Sequence, residues 1–219
     1  AYYEQIDVLV DAGVDAILIE TIFDTLNAKA ALSAYQKVKD KTSRPLEVML
    51  SMTVSDASGR TLSGQTVEAF VVSVMHANPL SIGLNCGLGA DGMLPYLRRM
   101  SSVAPCYISC HPNAGLPNQF GGYDDTPEDM VKMIQPYLEE KLVNMIGGCC
   151  GTTPEHMAAF RKALDSLAPD YERRKPVHRS PMLMLSGLEP LAVAPIQKHD
   201  KLSFFVKVGE RCNVAGSKK

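Results

Sequence analysis

Residues 142–150 read Leu-Val-Asn-Met-Ile-Gly-Gly-Cys-Cys, and residues 151–156 continue Gly-Thr-Thr-Pro-Glu-His. A short apolar run of this kind is the pattern of a strand buried on both faces. Thr153-Pro154 then places a hydroxyl at a helix N-cap and a proline at the first helical position, and Thr126-Pro127 gives the same signal upstream. Strand, polar end and helix make one βα unit. Working back along the chain the unit recurs, because Asp15–Thr21 (DAILIET), Val48–Thr53 (VMLSMT), Ser81–Cys86 (SIGLNC) and Cys106–Asn113 (CYISCHPN) are further strand-like runs. Between them apolar residues fall at three- and four-residue spacing, as in Val67, Phe70, Val71 and Val74, or Met157, Phe160, Leu164 and Leu167, which predicts helices.

A βα repeat of about 30 residues predicts parallel strands. A doubly wound sheet and a (β/α)8 TIM barrel both fit that pattern. The polar or unusual residues at the strand C-terminal ends, Glu20, Cys86, Asn113, Cys149 and Cys150, favour the barrel, whose site lies at that shared mouth. A complete barrel has eight units in about 250 residues. The five units here, preceded by Ile6, Leu9 and Val10 at helical spacing, lead to the expectation of a partial barrel made of its C-terminal units, inactive alone. Past Leu167, the stretch APDYERRKPVHRSP carries proline and charge without periodicity, so Arg173, Arg174, Lys175 and Arg179 are expected in a solvated linker. The expected organisation is a barrel over 1–167, a linker over 168–203 and the beginning of a second domain over 204–219.

Composition narrows the classes. The 219 residues are 46% hydrophobic and 21% charged, and 22 basic against 24 acidic side chains leave a net charge of −2, without the basic excess of a nucleic-acid binder. No apolar run approaches the roughly 18 residues that span a bilayer, and the opening AYYEQIDVLVDAG has no leader pattern. A cytoplasmic protein with neither nucleic-acid nor membrane partners is expected. The 11 methionines fall in apolar strands and helix faces, where they fill a core.

Six cysteines are too few for a disulfide scaffold, and two of them are adjacent. On a barrel Cys86, Cys149 and Cys150 point into one mouth, and the glycines around the pair allow neighbouring side chains to converge. Three thiolates fit Zn²⁺ and leave its fourth tetrahedral position open, the mark of a catalytic site. A vicinal disulfide with redox chemistry, or small packed residues without a ligand role, are the other readings. Cys106, Cys110 and Cys212 are expected to be buried structural thiols, and His111 and His156 are secondary ligand candidates. Gly87-Leu88-Gly89-Ala90-Asp91-Gly92 matches G-x-G-x-x-G without the acidic residue that a dinucleotide site needs, so it is expected to be a flexible loop beside Cys86. Glu20 at a strand end is expected to face the mouth and meet a cation, unless it forms a structural salt bridge. Asn113 offers a donor and an acceptor to a polar substrate, or else shapes the turn in PNAG.

GLNC at 83–86, PNAG at 112–115, GGCCGTTPEH at 147–156 and IETIFDT at 19–25 together resemble the homocysteine-binding barrel of the homocysteine S-methyltransferases, over residues 1 to 167. VGERCNVAGSKK at 208–219 resembles the opening strand of the pterin-binding barrel that follows in the cobalamin-dependent methionine synthases. The resemblance implies zinc on Cys86, Cys149 and Cys150, the amino group of homocysteine at Glu20, and Asn113 near metal and substrate. It implies folate contacts at Glu210 and Asn213. The implied activity is methyl transfer to homocysteine, giving methionine, from methylcobalamin that methyltetrahydrofolate recharges, on folate and cobalamin domains elsewhere in the polypeptide. The alternatives are a cobalamin-independent enzyme with betaine or S-methylmethionine as donor, and a non-catalytic structural zinc module.

Overall fold

Alternation within each strand decides the architecture. Ile17, Val48, Leu50, Met52, Ile82, Leu84, Ile108 and Cys110 fall on one face of the sheet and are buried in a single core with Phe70, Val71, Met93, Leu97, Ile134 and Tyr137 from the helices. The computed structural model describes residues 1–55, 57–178 and 182–193. Its elements run α1 (Tyr2–Asp11), β1 (Ala16–Ile22), α2 (Thr25–Lys39), β2 (Glu47–Met52), α3 (Val67–Val74), β3 (Ser81–Gly89), α4 (Ala90–Val103), β4 (Tyr107–Asn113), α5 (Pro127–Glu139), β5 (Met145–Ile146), α6 (Pro154–Asp165), β6 (Leu183–Ser186) and β7 (Pro190–Val193).

The first five strands form one parallel sheet in the order β1-β2-β3-β4-β5. A doubly wound sheet reverses its strand order partway and carries helices on both faces. Here the order follows the chain without reversal and the helices share one core, which is consistent with part of a barrel. The opposite face carries Leu18 beside Met49, then Ser51, Gly83, Ser109 and Met145 in register, then Asn85 beside His111. Among the described residues no helix is long and apolar enough to cross a membrane.

The two signalled helix starts form as expected. The Thr126 hydroxyl accepts from the Asp129 N–H at the head of α5. At α6 the Thr153 N–H donates to His156 Nδ1 at 3.1 Å, while His156 Nε2 lies 3.0 Å from the Asp125 carbonyl. Both ring nitrogens are thus engaged with backbone, and His156 is a buried structural residue rather than a ligand. Gly87–Gly92 is not a flexible loop: residues 87–89 are the tail of β3, and 90–92 open α4.

The largest departure follows α6. Arg174 is 6% exposed, not solvated. Its guanidinium donates to the carbonyls of Cys106 (2.8 Å), Ala104 (2.7 Å) and Ser101 (3.1 Å), and to Ser101 Oγ (3.0 Å). The last turn of α4 leaves carbonyls without helical partners, and the planar five-donor fork of arginine fits that cluster. Burial draws the Arg174 pKa below the ordinary arginine value. β6 and β7 form an antiparallel hairpin where only linker was expected, tied to the βα unit by the Thr66 N–H bond to the Leu188 carbonyl (3.0 Å) and by the Arg60–Glu189 ion pair. Arg174→Met keeps the aliphatic stem but strands these carbonyls, so it is expected to cost about 1–3 kcal/mol. Denaturant unfolding measures this, and an unchanged midpoint would show that these hydrogen bonds contribute nothing. The stretch 204–219, with Glu210, Cys212 and Asn213, lies outside the described residues.

Candidate metal centre

Cys86 leaves the regular strand at a bulge, since the β3–β4 register shifts between Asn85 and Gly89. Its backbone is left-handed (φ 57°), and so is that of Gly87 (φ 75°). A Cβ on Gly87 would lie 2.4 Å from the Val54 carbonyl oxygen, so only glycine permits the turn that aims Cys86 across the sheet end. The cysteine pair is carried along β4. Gly147 N–H donates to the Cys110 carbonyl (3.0 Å), Cys149 N–H to Pro112 (2.9 Å), and Ala114 N–H returns to the Cys150 carbonyl (2.9 Å), so strand pairing continues past Met145–Ile146. At Gly151 the chain turns with φ 80°, and adjacent side chains that a strand would send to opposite faces converge.

The Cys86 and Cys150 sulfurs are 3.7 Å apart and those of Cys149 and Cys150 3.9 Å, with all three sulfurs within 4.8 Å of one another. Tetrahedral Zn–S bonds of about 2.3 Å require S···S separations of about 3.8 Å. The three thiols are half-buried and free, so the donor set, spacing and access fit a zinc ion. Among the described residues no fourth His, Cys, Asp or Glu joins the group. Burial, then the neighbouring Cys86, pushes the Cys149 thiol up to about 11. Hydrogen bonds from Cys86 and then Tyr123 draw Cys150 below the ordinary thiol value.

Asn85, fully buried, organises the surroundings. Its Oδ1 accepts from the Thr21 N–H (3.0 Å) and the Ser51 hydroxyl (2.7 Å). Its Nδ2 donates to Thr21 Oγ1 (2.9 Å) and faces Cys149 Sγ at 4.0 Å. All its donor and acceptor positions are used, and strands β1, β2 and β3 are pinned to the cysteine loop. The network also holds Thr21 at φ 56°, an outlier for a β-branched residue. Neither Asn85 nor Tyr123 was singled out from the sequence. Asn85 immediately precedes Cys86, which is the one sequence signal for it; Tyr123 has none.

Asn113 is buried, and its Oδ1 accepts from the Cys150 N–H at 3.1 Å, so its carbonyl oxygen supports the ligand loop. Glu20 is exposed at the end of β1 and, among the described residues, makes no ion pair. Its nearest titratable influence is on His111, whose pKa burial lowers and Glu20 partly restores. His111 packs against Gly147, and its Nδ1 is buried without a hydrogen-bond partner among the described residues. Cys106 and Cys110 are buried in the core, as expected.

Comparison with known proteins places this geometry. In its apo form the homocysteine methyltransferase MmuM from Escherichia coli is similar in structure, with a TM-score of 0.53 at 19% identity, over 74% of this chain and 57% of MmuM. Its metallated form gives 0.49 at 20% identity, over 73% and 51%. The chain spans a little more than half of MmuM, and at that identity the likeness concerns the fold alone. The profile described as homocysteine S-methyltransferase matches residues 1–164, the whole βα region including all three clustered cysteines. This chain belongs to the homocysteine S-methyltransferase family.

Proposed function

We propose that Cys86, Cys149 and Cys150 bind Zn²⁺ and that the centre holds homocysteine for methyl transfer to its sulfur, giving methionine. The observation that carries this reading is the trio of sulfurs at tetrahedral spacing with no fourth protein ligand among the described residues. When bound, the metal supplies positive charge that lowers the pKa of the thiol on its open position, so that the thiol reacts as a thiolate near pH 7. The residues of the chain do the remaining work. Asn85 and Asn113 hold the ligand loop, by contacts to Cys149 Sγ and the Cys150 N–H. Glu20, open at the mouth, accepts from the substrate ammonium group. No general base is needed at the transfer step, because the nucleophile has already lost its proton.

Methylcobalamin as donor, with methyltetrahydrofolate as the ultimate methyl source, belongs to the same proposal. It is supported by the resemblance of VGERCNVAGSKK at 208–219, where Glu210 and Asn213 would contact folate, and it implies folate and cobalamin domains in the same polypeptide. Five free cysteines among the described residues suit a reducing compartment, and a cytoplasmic location is proposed. The test uses the zinc-loaded full-length polypeptide, including the remaining barrel units that this reading implies, and supplies it with homocysteine and, separately, methylcobalamin, betaine or S-methylmethionine. Methionine from methylcobalamin alone is expected. Methionine from either small donor would establish the cobalamin-independent reading instead, and a zinc centre that no homocysteine enters would leave a structural module.

In the full-length polypeptide Glu20→Gln is expected to weaken homocysteine binding about tenfold or more, the loss of a charge-assisted hydrogen bond of about 1.5–3 kcal/mol, while zinc content stays at the wild-type level. Calorimetric titration with homocysteine reads this. Unchanged affinity would remove Glu20 from the substrate site.

A further inference from the structure

The hairpin β6–β7 is largely apolar on both faces. Its strands pair Leu183 with Val193 and Leu185 with Leu191 on one face, and Met184 with Ala192 and Ser186 with Pro190 on the other. Met184 and Pro190 turn toward the helices, where they line an apolar groove with Val71 and Val72 of α3. The Leu188 side chain, at the turn, packs over Gly64. Nothing comparable meets the other face among the described residues: Leu183 is 62% exposed, Leu185 48% and Leu191 43%. A two-stranded hairpin is marginal in water unless it packs against something, and three leucines side by side in solvent mark a contact surface.

The chain itself supplies the cover. β7 leads directly into residues 194–219, where Leu202, Phe204, Val206 and Val208 alternate in the pattern of a strand. Residues 194–201 between them reach at most roughly 26–29 Å, so what that stretch builds is tethered close to the hairpin. A second copy of the chain fits poorly, because stable interfaces take about 20–30 residues a side and this face offers two cross-strand pairs. A tethered domain needs less area, since a short tether holds it at an effective concentration in roughly the millimolar range. Resting on the reading above that the polypeptide continues into a second domain, we propose that the face of Leu183, Leu185, Leu191 and Val193 is the docking surface for that domain, the one opened by Leu202–Val208. The hairpin is then shared, with one face on α3 and the other on the second domain. It joins the two as one body, where a solvated linker would let the second domain swing.

The experiment places Leu185→Cys in the 219-residue chain and in the full-length polypeptide, and follows maleimide labelling at position 185 by peptide mass spectrometry. Labelling is expected to be fast in the 219-residue chain and about tenfold or more slower in the full-length polypeptide, with amide hydrogen exchange of wild-type 183–193 slowed in parallel. Lys37→Cys, on the exposed side of α2, should label at one rate in both. Fast labelling at 185 in both overturns the proposal. Slow labelling in both does so too: a dimer mass by light scattering would make the cover a second copy, and a monomer mass would make it residues 194–219 alone. Titration of the same full-length protein with methyltetrahydrofolate separates this inference from the reading it rests on. A protected hairpin without folate binding removes the folate reading and keeps the docking surface, whereas folate binding beside an unprotected hairpin does the reverse.

Discussion

The wild-type chain is expected to bind one zinc ion and Cys150→Ser to lose it. Complete zinc sites of four ligands provide about 10–16 kcal/mol at pH 7, so one thiolate is worth roughly 3 kcal/mol, a hundredfold or more in affinity. Cys149→Ser should behave in the same way, because both sulfurs stand at bonding distance from a common centre. Zinc content after dialysis against a weak chelator reads the result. The sign of the pH dependence follows from the thiols. Cys149 is pushed up to about 11 by burial and its neighbours, so at pH 7 it carries a proton that the metal must displace. Zinc uptake should therefore release protons, with affinity rising as pH rises and falling as the solution is acidified. Full zinc retention in either serine variant would refute the assignment.

Asn85→Ala should be the most damaging single change outside the cysteines. It leaves the Thr21 N–H and the Ser51 hydroxyl without their acceptor, and Thr21 Oγ1 and Cys149 Sγ without a donor, at a fully buried position. Unsatisfied buried groups cost about 1–3 kcal/mol each, and with partial relaxation the sum should reach about 3–4 kcal/mol. The positive φ at Thr21 would also lose its anchor. A lowered denaturation midpoint and zinc affinity weakened about tenfold or more are expected together, since the same amide supports fold and ligand loop. A variant within about 0.5 kcal/mol of wild type would mean that the hub is replaceable by water.

Local pattern carried much of this molecule. The strands at 16–22, 47–52, 81–89 and 107–113 lie within a few residues of their expected places, because a core strand needs a short apolar run bounded by turn residues, although β1 buries only one of its faces. The convergence of Cys86 with Cys149 and Cys150 was legible for a related reason. Parallel βα units bring all strand C-termini to one end, so chemistry written at those ends must meet there. What the chain could not display alone were the partners that only register brings together. Asn85 looks like any polar residue in an apolar run until pairing sets Ser51 and Thr21 beside it.

Tyr123 stands in an aperiodic segment, and only the turn at Gly151 brings its ring beside the cysteine pair. Arg174 was misplaced in solvent because a charge in a basic, proline-containing stretch has no local reason to be buried; the carbonyls that hold it belong to the end of α4 and the start of β4. The sequence by itself determined the βα repeat, its helix starts and the meeting of Cys86, Cys149 and Cys150 at one end of the sheet, all of which depend on neighbours a few residues apart or on strand polarity. The tertiary structure alone decided the hydrogen bonds around those cysteines and the burial of Arg174 at the end of α4, because a buried polar group is stabilised by whichever distant donor or acceptor folding brings within about 3 Å of it.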